Sequence, residues 1–265
     1  MIKLIKIKGH KFMSLFCRGK LLKGYPWKCK CMEICKVKRE LFYIVERMIK
    51  IEKIDIQNKY YPRKLKNIYD PPKELYIIGN KEILNKPSVA IIGCRECSEY
   101  GKRVAQKFAY ELSKKEIVIV SGLAKGIDSF VHIGVLYAKG KTIAVLGSGL
   151  DNIYPKENIE LAKKIVEYGG CIISEYPVGT KPEKKNFPQR NRIISGLSEG
   201  VLVVEAKEKS GTLITVDFAI EQGREVFCIP GNINLINSVG TNELIKQGAK
   251  LVTNIDDVLS EIYYK

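Results

Sequence analysis

From residue 60 onward the hydrophobic positions follow two alternating rhythms. Short unbroken runs of Val and Ile give way to longer stretches in which apolar residues return every three or four positions. The first kind reads as buried strand and the second as amphipathic helix. Strands are predicted at Val89–Gly93, Ile117–Ser121, Thr142–Leu146, Cys171–Ser174, Val201–Glu205 and Glu225–Ile229. Helices fall between them at Gly101–Lys115, Ile127–Lys139, Ile159–Tyr168, Arg190–Leu197 and Leu213–Gln222. Further pieces at Asn242–Gln247, Lys250–Thr253 and Asp256–Tyr263 complete the series, and a short apolar piece, Leu75–Ile78, precedes it. Strands without polar alternation, each followed by a helix, mean a mostly parallel sheet covered on both faces. The fold class predicted is therefore α/β and Rossmann-like, occupying residues 60–265.

Residues 1–59 read differently, as a basic and irregular N-terminal segment. Only Val37 to about Lys53 has helical spacing, with Leu41, Ile44, Val45, Met48, Ile49 and Glu52 on one face. Of the formal charge of +16, residues 1–60 hold 16 Lys/Arg against 5 Asp/Glu, and the remainder holds 29 against 24. Net basicity fits a polyanionic partner. Because most of the excess lies outside the sheet domain, local cations beside phosphate-sized loops carry more information than the total.

Several classes are disfavoured at this point. No apolar run approaches the ~20 residues of a membrane helix, and MIKLIKIKGHKF lacks the core of a secretory signal, so the cytoplasm is expected and no membrane. Cys94 and Cys97 form a CxxC flanked by Gly93 and Arg95, without the Trp or Pro of a redox motif. Cys29, Cys31 and Cys35 lack a matching His or second CxxC, so no metal is expected.

A parallel sheet binds ligands at the carboxyl ends of its strands, which directs attention to five loops. The first, Gly93 to Gly101, sits where a dinucleotide fingerprint would stand, yet carries Arg95 and Ser98 instead of small residues. A helix N-terminus beside an Arg suits a phosphate. In the second, Ser121-Gly122-Leu123-Ala124-Lys125-Gly126-Ile127-Asp128, small residues leave backbone room at Ser121 and Gly122 while Lys125 supplies charge. Asp128 and the following His132 lack a nucleophile partner and read as structural. The third, Gly147 to Pro155, is again Gly-rich. The fourth places Lys181, Lys184, Lys185, Phe187, Arg190, Asn191 and Arg192 together, an aromatic ring among cations, as single-strand binders do. The fifth, with Ser210 and Gly211, opens another helix N-terminus. An NAD site needs an acid near the second strand end. Here that strand ends in Ser121-Gly122 with Lys125, so no cofactor is expected, and repeated phosphate cradles suit a polynucleotide.

The ordered motifs resemble those of the DNA-processing protein A family (DprA/Smf): GxRxxSxxG (Gly93–Gly101), SGLAKGID (Ser121–Asp128), GSGLDNIYP (Gly147–Pro155), FPQRNRIISGLS (Phe187–Ser198), VVEA (Val203–Ala206) with SGTLIT (Ser210–Thr215), IPGNI (Ile229–Ile233) and GTNELIKQGA (Gly240–Ala249). The resemblance implies a non-catalytic protein that binds single-stranded DNA in a positive pocket. It also implies dimerisation through the Rossmann domain and loading of RecA recombinase in natural transformation. The family's DNA-contacting positions correspond to Arg95, Ser98, Lys125, Lys184, Phe187, Arg190, Asn191 and Arg192. Lys125 stands where the family often has Arg, keeping charge without the bidentate fork. Neither an N-terminal SAM-like helical domain nor a C-terminal winged helix is recognisable. The alternative is a nucleotide phosphoribohydrolase of the LOG or lysine-decarboxylase-like kind, whose PGGxGT-x-x-E loop is absent here as a unit.

Overall fold

The computed structural model describes residues 51–263. Their centre is β3 (Ser88–Ile92), in which every residue is buried. Parallel to it on one side run β4 (Val118–Ser121), β5 (Thr142–Leu146) and β6 (Cys171–Ser174); on the other lie β7 (Gly200–Val203), β8 (Glu225–Cys228) and β9 (Lys250–Leu251). Two antiparallel strands, β2 (Glu74–Gly79) against β6 and β1 (Glu52–Asp55) against β2, extend the β6 edge to make nine. The α/β, mostly parallel Rossmann-like expectation is met.

Strand alternation assigns the two faces. Ala90, Ile92, Val118, Val120, Ile143, Val145, Val201 and Val203 meet α1 (Arg63–Lys66), α5 (Asn186–Gly196) and α6 (Gly211–Glu221). Val89, Ile91, Ile119, Leu202 and Phe227 point the other way, onto α2 (Glu99–Lys114), α3 (Ile127–Tyr137) and α8 (Ile255–Tyr263). A third cluster joins Ala144 and Leu146 to α4 (Ile159–Glu167), and α7 (Val239–Lys246) precedes β9.

Two boundaries differ from expectation by four residues or more. The helix predicted over Val37–Lys53 overruns: Glu52 and Lys53 open β1, so the sheet begins ahead of residue 60, Ile51 precedes it outside any helix, and residues 37–50 lie outside the described residues. Helix α5 begins at Asn186, a full turn before the predicted Arg190. Pro188 is accommodated because in a first turn its missing N–H has no partner to lose.

Candidate nucleic-acid interface

Chain order reverses about β3: successive strands run outward through β4, β5 and β6, and β7 then returns to β3's other flank. The crevice above β3 and β7 is thus the topological switch point, where such sheets bind ligands.

Two phosphate cradles predicted there are filled by the protein's own carboxylates. Glu205, 2% exposed, reaches the N-terminus of α2, accepting from the Ser98 N–H at 3.0 Å, from the Ser98 hydroxyl, and from Asn237 Nδ2 at 3.3 Å. Ser98 Oγ also caps α2 by accepting from the Gly101 N–H at 3.0 Å. Gly101 is required by this packing, because a Cβ there would lie 2.5 Å from the Glu205 carboxylate. A dinucleotide pyrophosphate would need that same helix end. In the second loop Asp128 accepts from the N–H groups of Gly122 (3.1 Å) and Ala124 (3.4 Å). The Ser121 hydroxyl is buried and donates to Ile91 O at 2.8 Å. Ser98, Ser121 and Gly122, expected from sequence as phosphate ligands, thus have hydrogen-bonding groups that are engaged internally.

The fifth loop is different. Helix α6 has no acidic residue in its first turn and no side-chain cap. Ser210 Oγ is buried without a hydrogen-bond partner, and beside Gly211 there is open space. This helix end faces a cavity of about 630 Å³ whose walls include Arg95, Lys184, Phe187, Asn191, Ser210, Gly211 and Thr212. Residues that are distant in sequence converge here. The exposed Arg95 guanidinium lies 5.5 Å from the centre of the half-buried Phe187 ring, within cation–π range. The acids that could have neutralised Arg95 are engaged elsewhere, Glu96 with Lys207 and Glu99 with Lys102. Asn191 anchors the wall by donating to Gly211 O at 3.3 Å.

The arginines of the fourth loop separate. Arg190 lines the cavity but is 4% exposed; its Nη1 donates to Gly122 O at 2.6 Å and to Val145 O. Burial lowers its pKa to about 10, with Asp128 opposing the shift and Arg95 adding to it, so it stays charged at neutral pH. Its first role is to clamp the ends of β4 and β5. Arg192 is not among the residues that line the cavity: it is locked to Glu175 and Asp70, apart from the other expected DNA contacts. Lys125 borders a smaller adjoining pocket with Tyr154 and Phe187, paired at 2.8 Å with Glu157.

Two cavity residues escaped the sequence reading. Tyr154 lines both pockets, and its ring centre is 5.8 Å from that of Phe187, tilted by 47°. An aromatic just before a Pro in a Gly-rich loop at the same sheet edge was the available signal. Lys207, two residues before the fifth loop's Lys209, also lines the cavity.

Neither His132 nor the CxxC shows the marks of an activated group. His132 is fully buried; its Nδ1 contacts Thr142 Oγ1 at 2.8 Å, and that hydroxyl donates onward to Ile119 O. Burial, reinforced by the Arg190 charge, depresses its pKa from 6.5 to about 3. Unfolding exposes a histidine that takes up a proton below pH ~6.5. Its contribution is therefore whole above that pH and lost progressively as pH falls towards 3. A His132→Gln variant is expected to show a flatter decline of urea midpoint than the parent between pH 6.5 and 4. Burial raises the Cys94 and Cys97 thiols above their ordinary values, keeping both protonated and weakly nucleophilic.

A family model described as DNA recombination-mediator protein A matches residues 52–263. The DNA processing protein DprA of Bacillus subtilis (strain 168) is 47% identical over 213 residues, covering 80% of this chain and 71% of the relative. DprA of Streptococcus pneumoniae (strain ATCC BAA-255 / R6) is 48% identical over 218 residues, 81% of this chain and 76% of the relative. The X-ray structure of Streptococcus pneumoniae DprA superposes with a TM-score of 0.77 at 43% identity, covering 90% of this chain and 84% of that one. For DNA processing protein A of Helicobacter pylori, whose structure concerns a unique single-stranded DNA binding mode, the TM-score is 0.71 at 34% identity, with 80% and 95% covered. The match runs through every loop that builds the crevice, and the chain belongs to the DNA recombination-mediator protein A (DprA/Smf) family.

Proposed function

We propose that this chain binds single-stranded DNA across the carboxyl edge of its sheet, with phosphates on Arg95, Lys184 and the N-terminus of α6 and one base on Phe187. The observation that carries the reading is the convergence of an uncapped helix end, two cations without a carboxylate partner among the described residues and an aromatic ring on one cavity. Backbone N–H groups and cations meet phosphates, while the ring accepts any base, so affinity needs no particular sequence. The Helicobacter pylori relative's single-stranded DNA binding mode supports the assignment.

Binding rather than catalysis is the role: Asp128 is spent on backbone N–H groups and His132 is sealed in the core. The family's description as a recombination mediator supports handover of the strand to RecA recombinase, with a Rossmann-domain homodimer as the working unit. No described helix is long and apolar enough to cross a membrane, which accords with a cytoplasmic site of action.

Titration with oligo-dT at several salt concentrations tests the reading. Affinity should fall as salt rises, with a log–log slope of about −0.7 for each phosphate neutralised on a single strand. Arg95→Ala should weaken binding and make that slope shallower by about 0.7. Salt-independent binding, or an unchanged Arg95→Ala variant, would place the strand elsewhere. Light scattering in the same titration reads the homodimer directly.

A further inference from the structure

Two of the lysines that border the crevice are not free. Lys207, in the loop after β7, pairs at 2.8 Å with Glu96, in the loop after β3. Both residues line the switch-point cavity. Lys125, which borders the smaller adjoining pocket, pairs at 2.8 Å with Glu157. In each case the glutamate is well exposed, its side chain 85% accessible for Glu96 and 66% for Glu157. Arg95 and Lys184, which also line the cavity, have no such carboxylate among the described residues. The two adjoining pockets thus present both committed and uncommitted cations.

We propose that Glu96 and Glu157 are affinity-setting residues that compete with DNA: an arriving phosphate must displace the carboxylate from Lys207 or from Lys125 before that cation can be used. The inference rests on the single-strand reading above. Exposed ion pairs are weak, so the exchange is open to a phosphate delivered by a strand already held at Arg95, Lys184 and Phe187. A lone phosphate arrives without that tethering advantage and gains little. The glutamates thereby favour connected phosphates over isolated ones and keep the grip at Arg95, Lys184 and Phe187 decisive. After exchange each glutamate stands unpaired near the polyanion and cancels part of the charge its lysine contributes.

The test uses the full chain and fluorescently labelled oligo-dT in a salt series. Glu96→Gln should tighten binding by roughly twofold to fivefold, the range that exposed pairs span, and steepen the salt slope by up to about 0.7. Glu157→Gln should act in the same direction. In a Lys207→Met background the Glu96→Gln gain should vanish, since no cation is left to release. Glu160→Gln, which removes an equally exposed acid paired with Lys163 on α4, should change nothing. A Glu96→Gln gain that persists without Lys207, or one matched by Glu160→Gln, would show a general field effect and overturn the exchange. Parent binding with unaltered variants would overturn this inference alone, whereas a parent that fails to bind oligo-dT would overturn the single-strand reading beneath it.

Discussion

Replacing Arg192 with Met is expected to lower the unfolding free energy by about 3–5 kcal/mol, the cost of leaving one partner of a buried ion pair unmatched. The oligo-dT affinity of the folded protein should stay within about twofold, since Arg192 lies outside the cavity. Nearly all of its guanidinium is engaged internally. Nε donates to Asp70 O at 3.0 Å and to Asp70 Oδ2 at 3.1 Å; Nη1 donates to Glu175 Oε1 at 2.8 Å and Gln189 O at 2.9 Å; Nη2 donates to Glu175 Oε2 at 2.7 Å. The side chain is 8% exposed and that of Glu175 16%. The group ties α5 to the turn before β2 and to the end of β6. Met fills similar volume but leaves the Glu175 carboxylate partly buried and unpaired. Urea denaturation gives the stability, and titration well below the melting transition gives the affinity. Unchanged stability with a tenfold loss of binding would return Arg192 to the DNA.

The sheet and its functional edge were legible in the sequence because their signal is local. Runs such as VAIIG and IVIVS hold β-branched residues buried on both faces, and small-residue loops mark where the strands end. Allocation of the charged groups within those loops was less legible. In FPQRNR the composition treats Arg190 and Arg192 alike, but a helix turns them to different sides, since positions two apart do not share a face. Once α5 begins at Asn186, Phe187, Arg190, Asn191 and Ile194 fall at i, i+3, i+4 and i+7, and these are the α5 residues, with Pro188, that line the cavity. That signal was available, and starting the helix at Arg190 concealed it. The capture of Ser98 by Glu205 had no local signal: the partners are 107 residues apart and meet only because β3 and β7 are neighbours. In the same way the pairing of Lys207 with Glu96 is created by the topology.

Phe187→Ala is expected to weaken oligo-dT binding by roughly fivefold to 150-fold, corresponding to the ~1–3 kcal/mol lost when a base loses its aromatic platform. Its cost in stability should be modest. The ring is half-buried and borders the cavity, packing against Tyr154 and the Gly147 backbone, where a Cβ on Gly147 would stand 3.1 Å from its edge. Loss of affinity alone would not separate stacking from a rearrangement of Arg95, which rests over the same ring. An oligonucleotide with abasic sites does so. The parent should bind it more weakly than oligo-dT, and Phe187→Ala should bind both about equally, because the contact that distinguishes them has gone. Phe187→Trp should restore the preference with a larger platform. Salt slopes for Phe187→Ala should match the parent's, since no phosphate contact is removed, in contrast to Arg95→Ala. Phe187→Ala retaining the full preference for the base-bearing strand would assign the platform to Tyr154, the other ring that lines both pockets.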